Sequence, residues 1–189
     1  MCLAVSPIAS ELKNYSGGAA MEGKRVKDSS VTIAQVMIPQ DANPAGNIHG
    51  GVIMKLIDTT AGVVASRHAR SNVVTASIDR LDLHYPVFIG DLLFFKASLN
   101  FVGRTSMEIG VRVEAENLLT GDVRNTASAY LTYVALDKKG RPTAVPPLIL
   151  EIEEEVRRNR EAKVRRKVRL AEKESEARCQ REPETCKDP

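Results

Sequence analysis

The chain has 189 residues, a hydrophobic fraction of 43% and a formal net charge of +3, which allows one globular core with tails and leaves no room for a second domain. Aromatic residues make up only 4% and tryptophan is absent, so gripping single-stranded bases by stacking is disfavoured, and the basic residues of the C-terminal stretch alternate with Glu rather than forming a nucleic-acid patch. Cys2, Cys179 and Cys186 lack the close spacing with histidine that a zinc site needs, and no apolar run approaches the roughly 20 residues that cross a bilayer; a reduced, cytoplasmic protein with no metal and no membrane insertion is the expectation.

Residues 1–30 mix Gly, Ser, Lys and small residues without a sustained period and read as a flexible leader. Val31 to Ile38 carries apolar residues at a period of two and closes at Pro39, which predicts a half-buried strand. A loop rich in Asp, Asn, Pro and Gly leads to Ile48-His49-Gly50-Gly51, and the period then changes: from Val52 to about His68 apolar residues cover most of a helical circumference, as in a helix buried on nearly every side. Asn72–His84, Asp91–Val102, Ser106–Asn117 and Val123–Leu136 are rich in β-branched and aromatic residues and are separated by short turns, so they are expected as antiparallel neighbours. The domain proper, 31–147, is therefore α+β, with about five antiparallel strands wrapped around one long central helix. Residues 148–178, dense in Glu, Arg and Lys with a thin apolar stripe, read as a solvated helix lying on the domain or on a partner subunit, and 179–189 as a disordered tail.

The chemistry concentrates before and within the central helix. Gly50 and Gly51 precede a helix whose first-turn N–H groups lack intrahelical partners and lie at the positive end of the macrodipole; this is either an oxyanion site or a tight turn made for packing. Asp58 follows Gly51 by seven residues, on the same helix face and about 10 Å further along. It is either a general base whose pKa burial raises, or a carboxylate satisfied by nearby backbone or by the Thr59 or Thr60 hydroxyl. Gly62, one turn on, is expected to leave open space beside that carboxylate. Asn43 is read as a turn former or an active-site amide, and His49 as a base or as a residue that fixes the loop through its ring N–H. His68 and His84 have no triad partner nearby, and no Gly-x-Ser-x-Gly elbow supplies a serine nucleophile.

Taken together, the Asn43 loop, His49-Gly50-Gly51, the helix carrying Lys55-Leu56-Ile57-Asp58, and then Val74-Thr75-Ala76-Ser77 and Ser106-Met107-Glu108-Ile109 resemble the hotdog-fold acyl-CoA thioesterases typified by the mammalian brain acyl-CoA hydrolase and its single-domain bacterial relatives. The resemblance spans about Val31 to Pro147. It implies hydrolysis of fatty acyl-CoA to free fatty acid and coenzyme A without a cofactor. It also implies that Asn43 and Asp58 are catalytic and come from opposite subunits, so that a homodimer holds two shared sites; trimers of such dimers, hexamers, are common in the family. The Gly50 and Gly51 amides would hold the thioester oxygen, Asp58 would take a proton from water, and direct attack by Asp58 is the less favoured variant. Arg104, Thr105 and Ser106 resemble the family's coenzyme A contact region, with an ordinary polar turn as the alternative; Lys138, Lys139 and Arg141 read as added charge for the nucleotide or as a solvated hairpin. A non-catalytic acyl-CoA sensor on the same fold is the competing function, and a hotdog dehydratase a third.

Overall fold

The structure, a computed structural model, describes residues 21–181. Its main sheet is antiparallel and five-stranded: β2 (Val31–Val36), β4 (Asp91–Val102), β5 (Ser106–Asn117), β6 (Val123–Leu136) and β3 (Asn72–Leu83), in that spatial order. β4, β5 and β6 follow the predicted bounds residue for residue, because Gly and Asn turns stop each apolar alternation abruptly. Their inward rows, such as Leu93, Phe95 and Leu99 on β4, are fully buried. These rows pack on α2 (Gly50–Ala69) through Ile53, Ile57, Ala61, Val64 and Ala65. Burying one such aliphatic side chain contributes about 1.5–3 kcal/mol, so this layer is the core. Bulges in β3 at Thr75/Ser77 and Ile78/Arg80 let the edge strand curl around the helix.

Two expectations change at the periphery of this core. The helix is not buried all round: Met54 and Val63 are 41% and 38% exposed, because a five-stranded sheet covers only one side of it. The leader is not loose throughout either. β1 (Lys24–Arg25) pairs in parallel with β7 (Leu148–Ile149), and the single turn α1 (Val26–Ser29) buries Val26 and Ser29. The remainder of the leader, residues 1–20, and the tail from 182 lie outside the described residues. Cys179 is disulfide-bonded, which departs from the reduced state expected of it.

His68 ties these pieces together. It is fully buried at the C-terminal end of α2. Its Nε2 lies 2.9 Å from the Pro146 carbonyl, which can only accept, so Nε2 carries the proton and Nδ1, 3.4 Å from Ser29 Oγ, is the acceptor. Lys24 Nζ donates to the His68 carbonyl at 2.7 Å, a cation placed against the negative helix end.

The charged C-terminal helix, α3 (Glu153–Arg181), lies on the domain, one of its two expected places, and its first half is held there more firmly than a solvated helix would be. It crosses the outer face of the sheet, where Asn159 Nδ2 donates to the Asn100 carbonyl at 2.8 Å and Arg165 meets the buried Glu108 at 2.6 Å. Arg169 pairs with Asp79, and the Arg165 guanidinium lies 3.7 Å from the centroid of Tyr130. Gly110 makes room for this layer: a Cβ there would stand 2.7 Å from Asn100 Nδ2.

Burial first, and Lys24 nearby, lower the pKa of His68 below 6.5, while the Pro146 carbonyl partly opposes them. The native state therefore binds fewer protons than the unfolded chain as pH falls below 6.5, and stability present above that pH is lost on the way down to the native pKa. Thermal scans between pH 7.5 and 5 should show a steeper fall in Tm for the parent than for His68→Gln.

Candidate active site

The loop that precedes α2 is built on Asn43. Its Oδ1 accepts from the Ala45 and Asn47 amides at 2.9 and 3.3 Å, and its backbone N–H donates to the Asn47 carbonyl at 2.7 Å. Asn43 is thus a turn former in this chain, and its side-chain NH2 makes no hydrogen bond among the described residues. His49 caps the helix, but through ring acceptor rather than ring N–H: its Nδ1 receives the Gly51 amide at 3.2 Å. The pair of bare amides expected at Gly50 and Gly51 is therefore one open N–H, on Gly50, and one capped by an imidazole.

Asp58 sits about 12 Å along the axis from Gly50. It is half-buried rather than sequestered, and neither Thr59 nor Thr60 serves it; those hydroxyls bond back to the Lys55 and Leu56 carbonyls. Its partners come from the sheet. Thr75 Oγ1 on β3 donates to Asp58 Oδ1 at 2.8 Å, and Tyr133 on β6 places its hydroxyl 2.7 Å from both Asp58 Oδ1 and the Asp58 carbonyl. Thr75 and Tyr133 stand opposite each other in the β3–β6 register. One carboxylate oxygen is thus clamped, and Oδ2 makes no hydrogen bond among the described residues.

The Tyr133 phenol is pushed well above its ordinary value, mainly by burial; the Thr75 hydroxyl pulls it down and the neighbouring Asp58 charge raises it further. It remains a neutral donor across the physiological range. The space expected beside Gly62 is filled by the same ring, since a Cβ on Gly62 would lie 3.6 Å from the Tyr133 hydroxyl.

Arg104 and Thr105 lie in the turn between β4 and β5 and Ser106 opens β5; their carbonyls accept from Val145, Ala135 and Gly103. Through Ala135 and the Asn72–Leu136 pairing they lie at the C-terminal end of α2, and a 20-residue helix is about 30 Å long. One protomer therefore does not bring them to Gly50 and Gly51. Arg104 lines a cleft of about 520 Å³ with Val145, Leu148, Asn159 and Lys163. Asp137 accepts from the Lys139 and Arg141 amides and pairs with the Arg141 guanidinium, so that segment is a self-contained hairpin. Among the described residues no cluster of His, Cys, Asp and Glu could hold a metal ion.

Thr75 and Tyr133 were not singled out by sequence reasoning as site residues. One signal was available: Tyr133 continues the inward row Ala127, Ala129, Leu131, and a buried phenol needs a hydrogen-bond partner on the element facing it.

The thioesterase superfamily model matches residues 45–121. The chain is 38% identical over 146 residues to the cytosolic acyl coenzyme A thioester hydrolase of Rattus norvegicus, covering 76% of this chain but spanning only 38% of that relative's length. It is 38% identical to an uncharacterized acyl-CoA thioester hydrolase of Bacillus subtilis, over 71% of this chain and 78% of the relative. A solved apo-hexameric acyl-CoA thioesterase superposes with a TM-score of 0.78 at 38% identity, over 80% of this chain and 97% of its own. An acyl-CoA hydrolase from Staphylococcus aureus, solved with butyryl coenzyme A, coenzyme A and coenzyme A disulfide, superposes at 0.77 with 32% identity, over 82% of this chain and 94% of its own. That hydrolase was also solved with an aspartate, an asparagine or a threonine replaced by alanine.

Losing the Tyr133 hydroxyl should cost about 1 kcal/mol, a typical net hydrogen bond. Urea unfolding of Tyr133→Phe should show a lower midpoint with an unchanged m-value.

Proposed function

This chain belongs to the thioesterase superfamily, and from that premise we propose that it hydrolyses fatty acyl-CoA to free fatty acid and coenzyme A at a site centred on Asp58. The observation that carries the reading is the carboxylate held by the Thr75 and Tyr133 hydroxyls at one oxygen, with the other open, beside the edge strand β3. The three residues replaced in the Staphylococcus aureus hydrolase are spaced 15 and 17 positions apart in the order asparagine, aspartate, threonine. Asn43, Asp58 and Thr75 have the same order and spacing, which supports assigning them together.

In this reading Asp58 Oδ2 takes a proton from water as the water oxygen attacks the thioester carbon. The developing oxyanion is held by the Gly50 N–H at the positive end of α2, joined by Gly51 when the His49 ring swings away. Collapse of the tetrahedral intermediate breaks the C–S bond, and the proton held on Asp58 passes to the leaving thiolate, which releases coenzyme A as its thiol and restores the carboxylate. The chemistry needs water and the substrate but no cofactor.

The site is shared between subunits. Among the described residues β3 has a hydrogen-bonding edge with no strand on it, Val74 and Ile78 on it are 43% and 42% exposed, and Met54 and Val63 on α2 are exposed as well. A two-fold pairing of β3 with a second copy covers this surface and carries the partner's Asn43 loop towards Asp58, where the free amide of Asn43 can orient the water or the carbonyl. It also lets the Arg104, Thr105 and Ser106 turn of one subunit reach coenzyme A bound near the helix start of the other. Three such dimers would make the hexamer. The protein works in the cytoplasm in this reading; among the described residues no helix is long and apolar enough to cross a membrane.

Thiol release from palmitoyl-CoA and shorter acyl-CoAs is the direct test. Asp58→Ala and Asn43→Ala should each lower kcat by about 10²–10⁴-fold, and mixing the two inactive proteins should restore part of the activity, since one of the two composite sites is then intact. Parent-level turnover in folded Asp58→Ala sinks the mechanism, and no recovery in proven heterodimers sinks the shared site. Tight acyl-CoA binding without turnover in the parent would identify a sensor instead.

A further inference from the structure

Two clefts lie against α3, and they differ in charge. The larger, about 690 Å³, lies over the outer face of the sheet, and its cations are already paired: Lys96 and Arg112 with Glu114, and Arg157 and Arg158 with Glu154. The smaller, about 520 Å³, is walled by the end of β4 and the turn after it, by residues 144–150 and by the Asn159 and Lys163 face of α3. No Asp or Glu lines it. Arg104 and Lys163 do, and neither the guanidinium nor the ammonium makes an ion pair or a hydrogen bond among the described residues.

Asn159 adds a third donor. It is only 8% exposed, and of its two side-chain N–H groups one donates to the Asn100 carbonyl at 2.8 Å while the other has no acceptor among the described residues. A spare N–H on a buried amide, beside two unpaired cations, fits an acceptor that carries negative charge. The remaining walls are apolar, built from Phe101, Val102, Val145, Leu148 and Leu150. Phe101 is the one aromatic ring among them, and the Arg166 guanidinium already stands over it, 5.8 Å from its centroid. A nucleobase therefore finds little to stack on, whereas an alkyl chain finds a wall that removes it from water. The volume suits an extended small molecule rather than a single ion.

We propose that this cleft binds a fatty carboxylate, its head on Arg104, Lys163 and Asn159 and its chain along Phe101, Val145 and Leu148. A carboxylate has about four lone-pair sites, enough to accept from all three donors at once. The occupant is named as the acid that the reaction releases, which rests on the hydrolysis proposed above. Asp58 lies about 16 Å before Ala69, the last residue of α2 and the end at which the Arg104 turn sits, so within one chain the cleft is separate from the reacting carboxylate. Lys163 and Asn159 also stand outside the Arg104–Ser106 stretch read above as a coenzyme A contact, so the acid and the coenzyme can be held together.

The test titrates decanoate into the full chain by calorimetry. The parent should bind it saturably, about tenfold more tightly than octanoate because two more methylenes leave water, and decanol, which lacks the charge, should bind about tenfold more weakly. Asp58→Ala should bind decanoate like the parent. Lys163→Glu should weaken decanoate about tenfold while kcat for butyryl-CoA stays at the parent level. A diazirine-bearing decanoate analogue should label peptides covering 101–104 and 144–150, and saturating coenzyme A should leave the decanoate dissociation constant unchanged. The proposal is overturned if decanol binds as tightly as decanoate, if Lys163→Glu leaves binding unaltered, if the label falls outside the cleft, or if coenzyme A displaces the acid. The hydrolase reading fails separately: a parent that binds decanoate in the cleft but releases no thiol from acyl-CoA sinks hydrolysis and leaves the site standing, and thiol release without decanoate binding does the reverse.

Discussion

A carboxylate on a helix that packs against an apolar sheet face must find donors in that interface or pay for its desolvation. Asp58 finds two, the hydroxyls of Thr75 and Tyr133, on adjacent strands. That clamp fixes the rotation of α2 relative to the sheet at its midpoint, because the inward row of β6 offers a phenol at one position only and the helix must present its acid there. Ala127, Ala129 and Leu131 on the same row accept nothing but apolar partners. The arrangement also leaves the second carboxylate oxygen without a hydrogen bond among the described residues.

The two faces of the sheet obey different physics. The inner face is sealed by aliphatic contact with α2, whereas the outer face is covered by α3 through Glu108, Asp79, Asn100 and their cationic or amide partners. Glu108 is only 2% exposed, so α3 is needed as much for charge neutralisation as for shielding: without Arg165 the acid would be an uncompensated buried charge. All buried side-chain polar atoms in the described residues have a partner, as such a layer requires. An ionic layer has direction in a way that an apolar one has not, and the succession of partners from β4 to β3 is what aims α3 across the sheet.

Several surfaces of the single chain stay open. Among the described residues β3 offers an edge without a strand, α2 shows Met54 and Val63, and α3 runs past the sheet. The Arg104 turn and the Gly50 helix start are at opposite ends of α2, so one protomer keeps them apart.

Local pattern determined most of the elements. Alternation broken by Gly and Asn set the bounds of β4, β5 and β6, the change of period after Gly51 marked α2, and the spacing of Asn43, Gly50, Gly51 and Asp58 carried the resemblance to acyl-CoA thioesterases, since each of these signals lies within a short stretch of chain. What tertiary structure alone decided are the partners of those residues. Thr75 and Tyr133 lie 17 and 75 positions from Asp58, and Arg165 lies 57 from Glu108. Strand order brings them together, and a single sequence does not record strand order. Docked and solvated charged helices also share the same composition, so the hold of α3 on the sheet, the ordering of Lys24–Ser29 around His68, and the capture of the Gly51 amide by His49 followed from packing geometry and not from pattern.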